Sequence, residues 1–102
     1  MLFDHVAIVV SDIKNSVEWY SERFPGVSVE YQDDTWAIIN CCGLKLAFVL
    51  KSQHPKHIAF CPDKDELMHD DFCNKKISIH RDGTRSFYIN DPDGNTIEVL
   101  YR

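Results

Sequence analysis

Asp91-Pro92-Asp93-Gly94-Asn95-Thr96-Ile97-Glu98-Val99-Leu100-Tyr101 is a turn followed by a strand. Pro92 presets φ, the aspartates cap local amides and Gly94 supplies a positive φ. After the turn, Ile97, Val99 and Tyr101 alternate with Thr96, Glu98 and Leu100, the period of a β-strand. Glu98 falls mid-strand between two apolar residues. A carboxylate there needs a partner, because burying an unpaired charge is expensive. An exposed face or a salt bridge would satisfy it, and so would a metal ion.

Upstream of this turn, Arg85–Asn90 and Ile77–His80 read as two further strands, separated from each other by Arg81-Asp82-Gly83. Before them, Asp63 or Asp65 caps an acidic helix carrying Leu67, Met68 and Phe72, and His57-Ile58-Ala59-Phe60-Cys61 opens the unit as a strand. The same order occurs earlier in the chain. His5-Val6-Ala7-Ile8-Val9 lies in a strand over Phe3–Val10, then Asp12 or Ser11 caps a helix with Ile13, Val17, Tyr20 and Phe24 at helical spacing. Pro25-Gly26 stops that helix. Strands follow at Val27–Tyr31, Trp36–Asn40 and Leu44–Leu50, divided by Gln32-Asp33-Asp34 and by Cys42-Gly43. The sequence is therefore two copies of β-α-β-β-β, about 1–50 and 56–102, joined by a polar linker over 51–56. This predicts an α+β fold of one domain, its paired βαβββ modules forming a cupped, barrel-like mixed sheet.

Bulk properties narrow the function. A chain of 102 residues, 44% hydrophobic and 26% charged, is an ordinary globular composition. A net charge of −5 without a Lys/Arg cluster argues against nucleic-acid binding. No apolar run is long enough to span a membrane. The chain starts directly in a strand-like pattern, so no signal peptide is expected. The cysteines, Cys41, Cys42, Cys61 and Cys73, show no CxxC spacing. They read as reduced thiols of a cytoplasmic protein, with Cys41 and Cys42 pointing to opposite faces of a strand.

One histidine in a strand is most often a core or edge residue. His5 and His57 stand at the same place in two repeats with the same neighbours, which is a different situation. With Glu98 they make two imidazoles and a carboxylate, a set suited to a divalent metal with open positions. Manganese, iron, nickel and zinc all fit that description. His54 in the linker and His69 on the acidic helix read as solvated, and His80 stands at a strand end beside Arg81.

The sequence resembles the vicinal oxygen chelate superfamily, which includes glyoxalase I, fosfomycin-resistance thiol transferases, extradiol dioxygenases and methylmalonyl-CoA epimerase. The matching residues are the opening Asp4-His5-Val6-Ala7-Ile8-Val9-Val10-Ser11-Asp12, then Ser16, Trp19 and Tyr20, His57-Ile58-Ala59, and the run from Ser86 to Glu98. The resemblance implies metal ligands at His5, His57 and Glu98, with a fourth on the last strand of the first module. Matching Leu44-Lys45-Leu46 to Ile97-Glu98-Val99 puts Lys45 in that fourth place. Counting from Gly43 and Gly94 puts Ala47 there. Neither is an ordinary ligand, so a three-ligand site like that of the fosfomycin-resistance enzymes and the dioxygenases is expected.

The resemblance implies a metal-dependent enzyme acting on a small substrate with vicinal oxygens, by lyase, isomerase or thiol-transferase chemistry. Trp36, His80, Ser86 and Tyr88 are the expected substrate-binding residues. Tyr88 and Lys45 are the expected catalytic ones, Lys45 as a proton carrier. Two alternatives stand beside this reading: a metal-free module that sequesters a small molecule, and a small ring-cleaving dioxygenase. Each module leaves an open sheet edge and an apolar face, so a homodimer is expected.

Overall fold

Asp12 starts the only helix among the described residues. Its backbone is extended (φ −148°, ψ 121°) and its carboxylate accepts the Asn15 amide, so Asp12 and not Ser11 is the cap. A computed structural model describes residues 1–63, 78–80 and 83–101. The element order is β1 (Leu2–Val10), α1 (Ile13–Arg23), β2 (Ser28–Gln32), β3 (Trp36–Cys41), β4 (Leu44–Leu50), β5 (His57–Cys61), β6 (Ser78–Ile79), β7 (Arg85–Asn90) and β8 (Thr96–Tyr101). The expected second helix, with Asp65, Leu67, Met68 and Phe72, lies outside the described residues. So do Ile77, His69, Cys73 and the Arg81-Asp82 part of a predicted turn.

The chain divides into two compact units. The first half is His5–His57, and the second is Met1–Asp4 together with Ile58–Arg102. The sequence alone places the division in the linker. In the structure the first four residues count with the second half, where the Phe3 ring meets Phe60 edge-on at 5.9 Å. The Met1 ammonium lies 3.7 Å from Asp63 in the same unit. The expected linker is itself turned, its Gln53 and His54 amides both donating to the Leu50 carbonyl.

In the first half the strand order is β2-β3-β4-β1. β4 runs parallel to β1 and antiparallel to β3, and β3 is antiparallel to β2. Alternation along each strand separates two apolar faces. Ile13 and Val17 of α1 bury against Ala37, Ile39 and Phe48 on one face, with Ile8, Val10, Leu46 and Leu50 around them. Phe48 is fully buried and contacts the Tyr20 ring. Burying a side chain of that size contributes about 1.5–3 kcal/mol. The opposite face carries a smaller cluster of Ala7, Ala47 and Val49, with Ile38 beside it.

Two hairpin features follow from backbone rules. The β3–β4 connection is a two-residue turn with positive φ at both Cys42 (55°) and Gly43 (81°), the type I′ geometry that matches strand twist. Cys42 therefore does not sit in a strand opposite Cys41, as the alternation suggests; it is in the turn, with the two thiols 3.9 Å apart. Cys41, Cys42 and Cys61 are all free thiols. In β2 the ladder shifts between Val29 and Tyr31, which places Glu30 in a bulge.

In the second half the strand order is β5-β8-β7-β6, with β5 parallel to β8 and the other pairs antiparallel. The Asp-Pro-Asp-Gly turn closes β7 on β8 as its sequence predicts. Asp91 Oδ1 accepts the amides of Asp93 and Asn95, Oδ2 accepts the Asn95 side chain, and Gly94 has φ 84°. Those bonds, that to the Asn95 side chain first, lower the Asp91 pKa.

Candidate functional site

Within the first half, β1 and the start of β5 bring His5 and His57 together. Both side chains are buried, and their Nε2 atoms are 3.3 Å apart. The rings meet edge-on, 5.4 Å between centroids. His57 Nδ1 lies 2.8 Å from the Pro55 carbonyl oxygen. A carbonyl only accepts, so Nδ1 carries the proton and Nε2 of the neutral ring presents its lone pair. The Nε2 contact with His5 is then a hydrogen bond that His5 donates.

The pair can be tested for fit to a metal. For metal–nitrogen bonds of roughly 2.0–2.1 Å, nitrogens this far apart subtend about 104–111° at the ion, close to the tetrahedral angle. The His57 Nδ1–H bond to a carbonyl is the outer contact that usually orients a ligating imidazole. By donor type, the residues able to hold a metal are His5 and His57 in the first half and Glu98 in the second.

Within the second half, Glu98 is 4% exposed, on the inner rung of the β7–β8 ladder directly opposite Tyr88. Ser86 donates its hydroxyl to Glu98 Oε2 at 2.8 Å. His80 Nε2 lies 2.7 Å from the same Ser86 oxygen and 3.7 Å from Glu98 Oε2. Because Ser86 spends its proton on the carboxylate, His80 is the donor of the 2.7 Å bond. Tyr88 has its pKa raised well above the ordinary phenol range, by burial first and then by the charge of Glu98 and a hydrogen bond to it. Its hydroxyl stays protonated and acts as a donor.

The parallel ladders identify equivalent positions in the two halves. In the first, Ala7 of β1 is opposite Ala47 of β4. In the second, Ala59 of β5 is opposite Glu98 of β8. His5 precedes Ala7 by two residues, as His57 precedes Ala59. The counterpart of Glu98 is therefore Ala47, and Lys45 corresponds to Thr96. This decides between the two matches the sequence allows. Lys45 pairs instead across the sheet with Asn40, and its ammonium is 3.7 Å from Glu30 Oε2. Asn40 donates to the other Glu30 oxygen at 2.8 Å.

The expected substrate residues are divided between the halves. Trp36 lies opposite Val49, on the face of Ala47, and stacks on Tyr31 at 4.2 Å. Tyr31 in turn donates to Asp33, whose carboxylate also accepts from Thr35 and from the Trp36 amide. These bonds hold the Asp33 pKa far below the usual carboxylate range, with the Tyr31 contribution largest. His80, Ser86 and Tyr88 lie in the second half around Glu98. Ser86 has no exposed surface, and its hydroxyl is engaged by Glu98 and His80. The partnership of Ser86 with Glu98 was not legible from the spacing of twelve residues between them. The only signal was that both fall on one face once β7 folds back on β8.

Comparison with known proteins completes the description. The family model described as "Glyoxalase/Bleomycin resistance protein/Dioxygenase superfamily" matches residues 2–99. Among solved structures, one titled NAD-dependent benzaldehyde dehydrogenase from Legionella pneumophila aligns at TM-score 0.66 and 19% identity, covering 94% of this chain and 96% of that one. A glyoxalase/bleomycin resistance protein/dioxygenase superfamily member from Vibrio splendidus 12B01 aligns at TM-score 0.64 and 12% identity, covering 96% and 97%. At such identities these likenesses speak for the fold, which is the α+β glyoxalase-like class the repeats predict. No curated protein matches the chain significantly. With the family model spanning nearly its whole length, the chain belongs to the glyoxalase/bleomycin resistance protein/dioxygenase superfamily.

Proposed function

We propose that the protein is a metal-dependent enzyme of the glyoxalase/fosfomycin-resistance type, with a divalent ion held by His5, His57 and Glu98. The observation that carries this reading is the buried pair of Nε2 atoms 3.3 Å apart, with the His57 tautomer set by Pro55. The β5–β8 register adds to it, because His57 shares the face of Ala59, and Ala59 is opposite Glu98. A divalent ion in that place supplies Lewis acidity, with open positions for the vicinal oxygens of a small chelating substrate.

The chain's own groups then have distinct tasks. His57 keeps its proton on Nδ1, which directs the Nε2 lone pair inward. His5 gives up its Nε2–H contact with His57 and carries its proton on Nδ1 when it serves as a ligand. Glu98 contributes the negative charge and is steadied by Ser86. Tyr88 stays protonated, and its one hydroxyl proton, held by Glu98 in the free protein, turns to a substrate oxygen when one binds. Trp36, stacked on Tyr31, offers an aromatic wall. Lys45, ion-paired with Glu30, is left out of the proton chemistry expected of it.

A second reading has support from one observation: His5 and His57 satisfy each other directly, so the pair is stable as a buried hydrogen bond. That suits a metal-free binding module lined by Ala7, Ile38, Ala47 and Val49. Metal analysis of protein purified without chelators separates the two. Near-stoichiometric divalent metal, removed by a chelator and restored by titration, is expected for the enzyme. Protein that takes up no manganese, iron, nickel or zinc in such a titration would leave only the binding module. A homodimer is proposed for either case, because every residue of β2 is exposed and offers a sheet edge for pairing. A species of single-chain mass in sedimentation at micromolar concentration would refute it.

A further inference from the structure

We propose that Ser86, backed by His80, is a positioning residue that holds the Glu98 carboxylate in its ligating orientation. This rests on the metal reading above and adds a component to it. The sequence, through its family resemblance, points to Ser86 and His80 as residues that meet a substrate. The geometry points elsewhere. Ser86 has no exposed surface, so a substrate cannot reach its hydroxyl without displacing protein. Its proton is committed to Glu98 Oε2 at 2.8 Å, and its oxygen accepts from His80 at 2.7 Å. Each group in the chain therefore faces one way: His80 Nε2–H to Ser86 Oγ, and Ser86 Oγ–H to Glu98 Oε2.

The position of each group is set by the fold. Ser86 lies opposite Leu100 and Tyr88 opposite Glu98 on the antiparallel β7–β8 ladder, so both flank the carboxylate on one face. His80 follows β6, where its amide donates to the Thr84 carbonyl at 2.8 Å and its carbonyl accepts the Gly83 amide at 3.0 Å. That turn anchors the imidazole from the backbone. The first half shows what the same scaffold looks like without the device. There the counterparts of Glu98, Tyr88 and Ser86 are Ala47, Ile38 and Trp36, none of which can relay a hydrogen bond to a carboxylate. The polar residues occur together in the half that has the carboxylate and are absent together in the half that lacks it.

A glutamate has three rotatable bonds before its carboxylate, and a buried one is useful as a ligand only in one orientation. Outer hydrogen bonds of this kind typically carry 10–100-fold in metal affinity. The test is a calorimetric titration of chelator-stripped protein with manganese(II), and separately with zinc(II), for wild type, Ser86→Ala, His80→Ala and His80→Gln. Thermal unfolding of each metal-free protein is measured alongside. Ser86→Ala is expected to weaken metal binding about 10–100-fold. His80→Ala should weaken it less, and His80→Gln, which keeps an N–H donor, should recover part of that loss. A role confined to stability predicts lower unfolding temperatures with unchanged affinity in every variant, and that result overturns the inference while leaving the metal site standing. If Ser86→Ala does not fold, the His80→Ala and His80→Gln pair decides, since equal affinity in both and in wild type is equally fatal. Absence of binding by wild type overturns the metal reading and this inference with it.

Discussion

The two halves of this protein share a strand pattern and differ in what fills its central rung. In the first, Ala47 sits opposite Ala7 and packs with Val49 and Ile38 into an apolar patch. In the second, Glu98 sits opposite Ala59, with Tyr88 and Ser86 bonded around it. At this rung the register of the parallel ladder is the same in both halves, so the difference there lies in side-chain chemistry. One half keeps that rung apolar. The other spends its central rung on a buried charge and the donors that make that charge tolerable.

The largest effect that can sharpen this contrast is on stability. Phe48, fully buried under α1, joins the helix to three strands of the first half. Phe48→Ala should cost about 3–5 kcal/mol in denaturant unfolding, by lost burial and the cavity left behind. A loss under about 1 kcal/mol would show that this half does not store stability in that face.

Next in size is removal of a proposed ligand. His5→Ala, His57→Ala and Glu98→Ala should each weaken divalent metal binding by at least ~100-fold, about 3 kcal/mol. His54→Ala, in the turn after β4, should change nothing in the same titration. Equal retention of metal in all four variants would dismiss the three-residue site.

The comparison between halves can be broken deliberately with Ala47→Glu. Placing a carboxylate at the position equivalent to Glu98 should tighten metal binding by about 1–3 kcal/mol, if one charged contact is gained. It should also lower the stability of the metal-free protein, since no Ser86-like donor awaits it. Lys45→Glu is the matched control, because the ladders put residue 45 level with Thr96. Its affinity should stay within about threefold of wild type, since it alters an exposed pair with Glu30. If Lys45→Glu tightens binding and Ala47→Glu does not, the register-based equivalence is wrong.

The smallest expected effect concerns two turn aspartates, one in each half. Asp33 and Asp91 both have pKa values lowered by local hydrogen bonds. A lowered folded-state pKa contributes stability above the unfolded value of 3.8, which is lost as pH falls through the folded one. Asp33→Asn and Asp91→Asn should each flatten the acid limb of the stability–pH curve below that value and leave its neutral region with the same slope. An unchanged acid limb in both variants would remove these turns from the acid response.

Much of the fold was readable because it is local. The Asp12 cap, the Pro25-Gly26 stop, the Cys42-Gly43 hairpin and the Asp91–Gly94 turn each depend on a few neighbouring residues. The period of two located β3, β4, β5, β7 and β8 to within a residue. The repeat singled out His5 and His57 before any contact between them was visible. Of the two sequence readings of Cys42, the turn residue held and the strand position opposite Cys41 did not.

By itself, then, the sequence determined the strand and turn pattern, the duplication and the residue types able to hold a metal, because propensity, capping and alternation act over a few residues. Tertiary structure decided what depends on register. It made Ala47, and not Lys45, the counterpart of Glu98, since a shift of two residues along a strand keeps the same face and leaves no mark in the alternation. It also joined Ser86 and His80 to a buried carboxylate, through a cross-strand pairing that joins residues twelve apart. Hydrogen bonds between strands are set by how the chain folds back on itself, and no spacing along the chain encodes which side chain will meet a given oxygen.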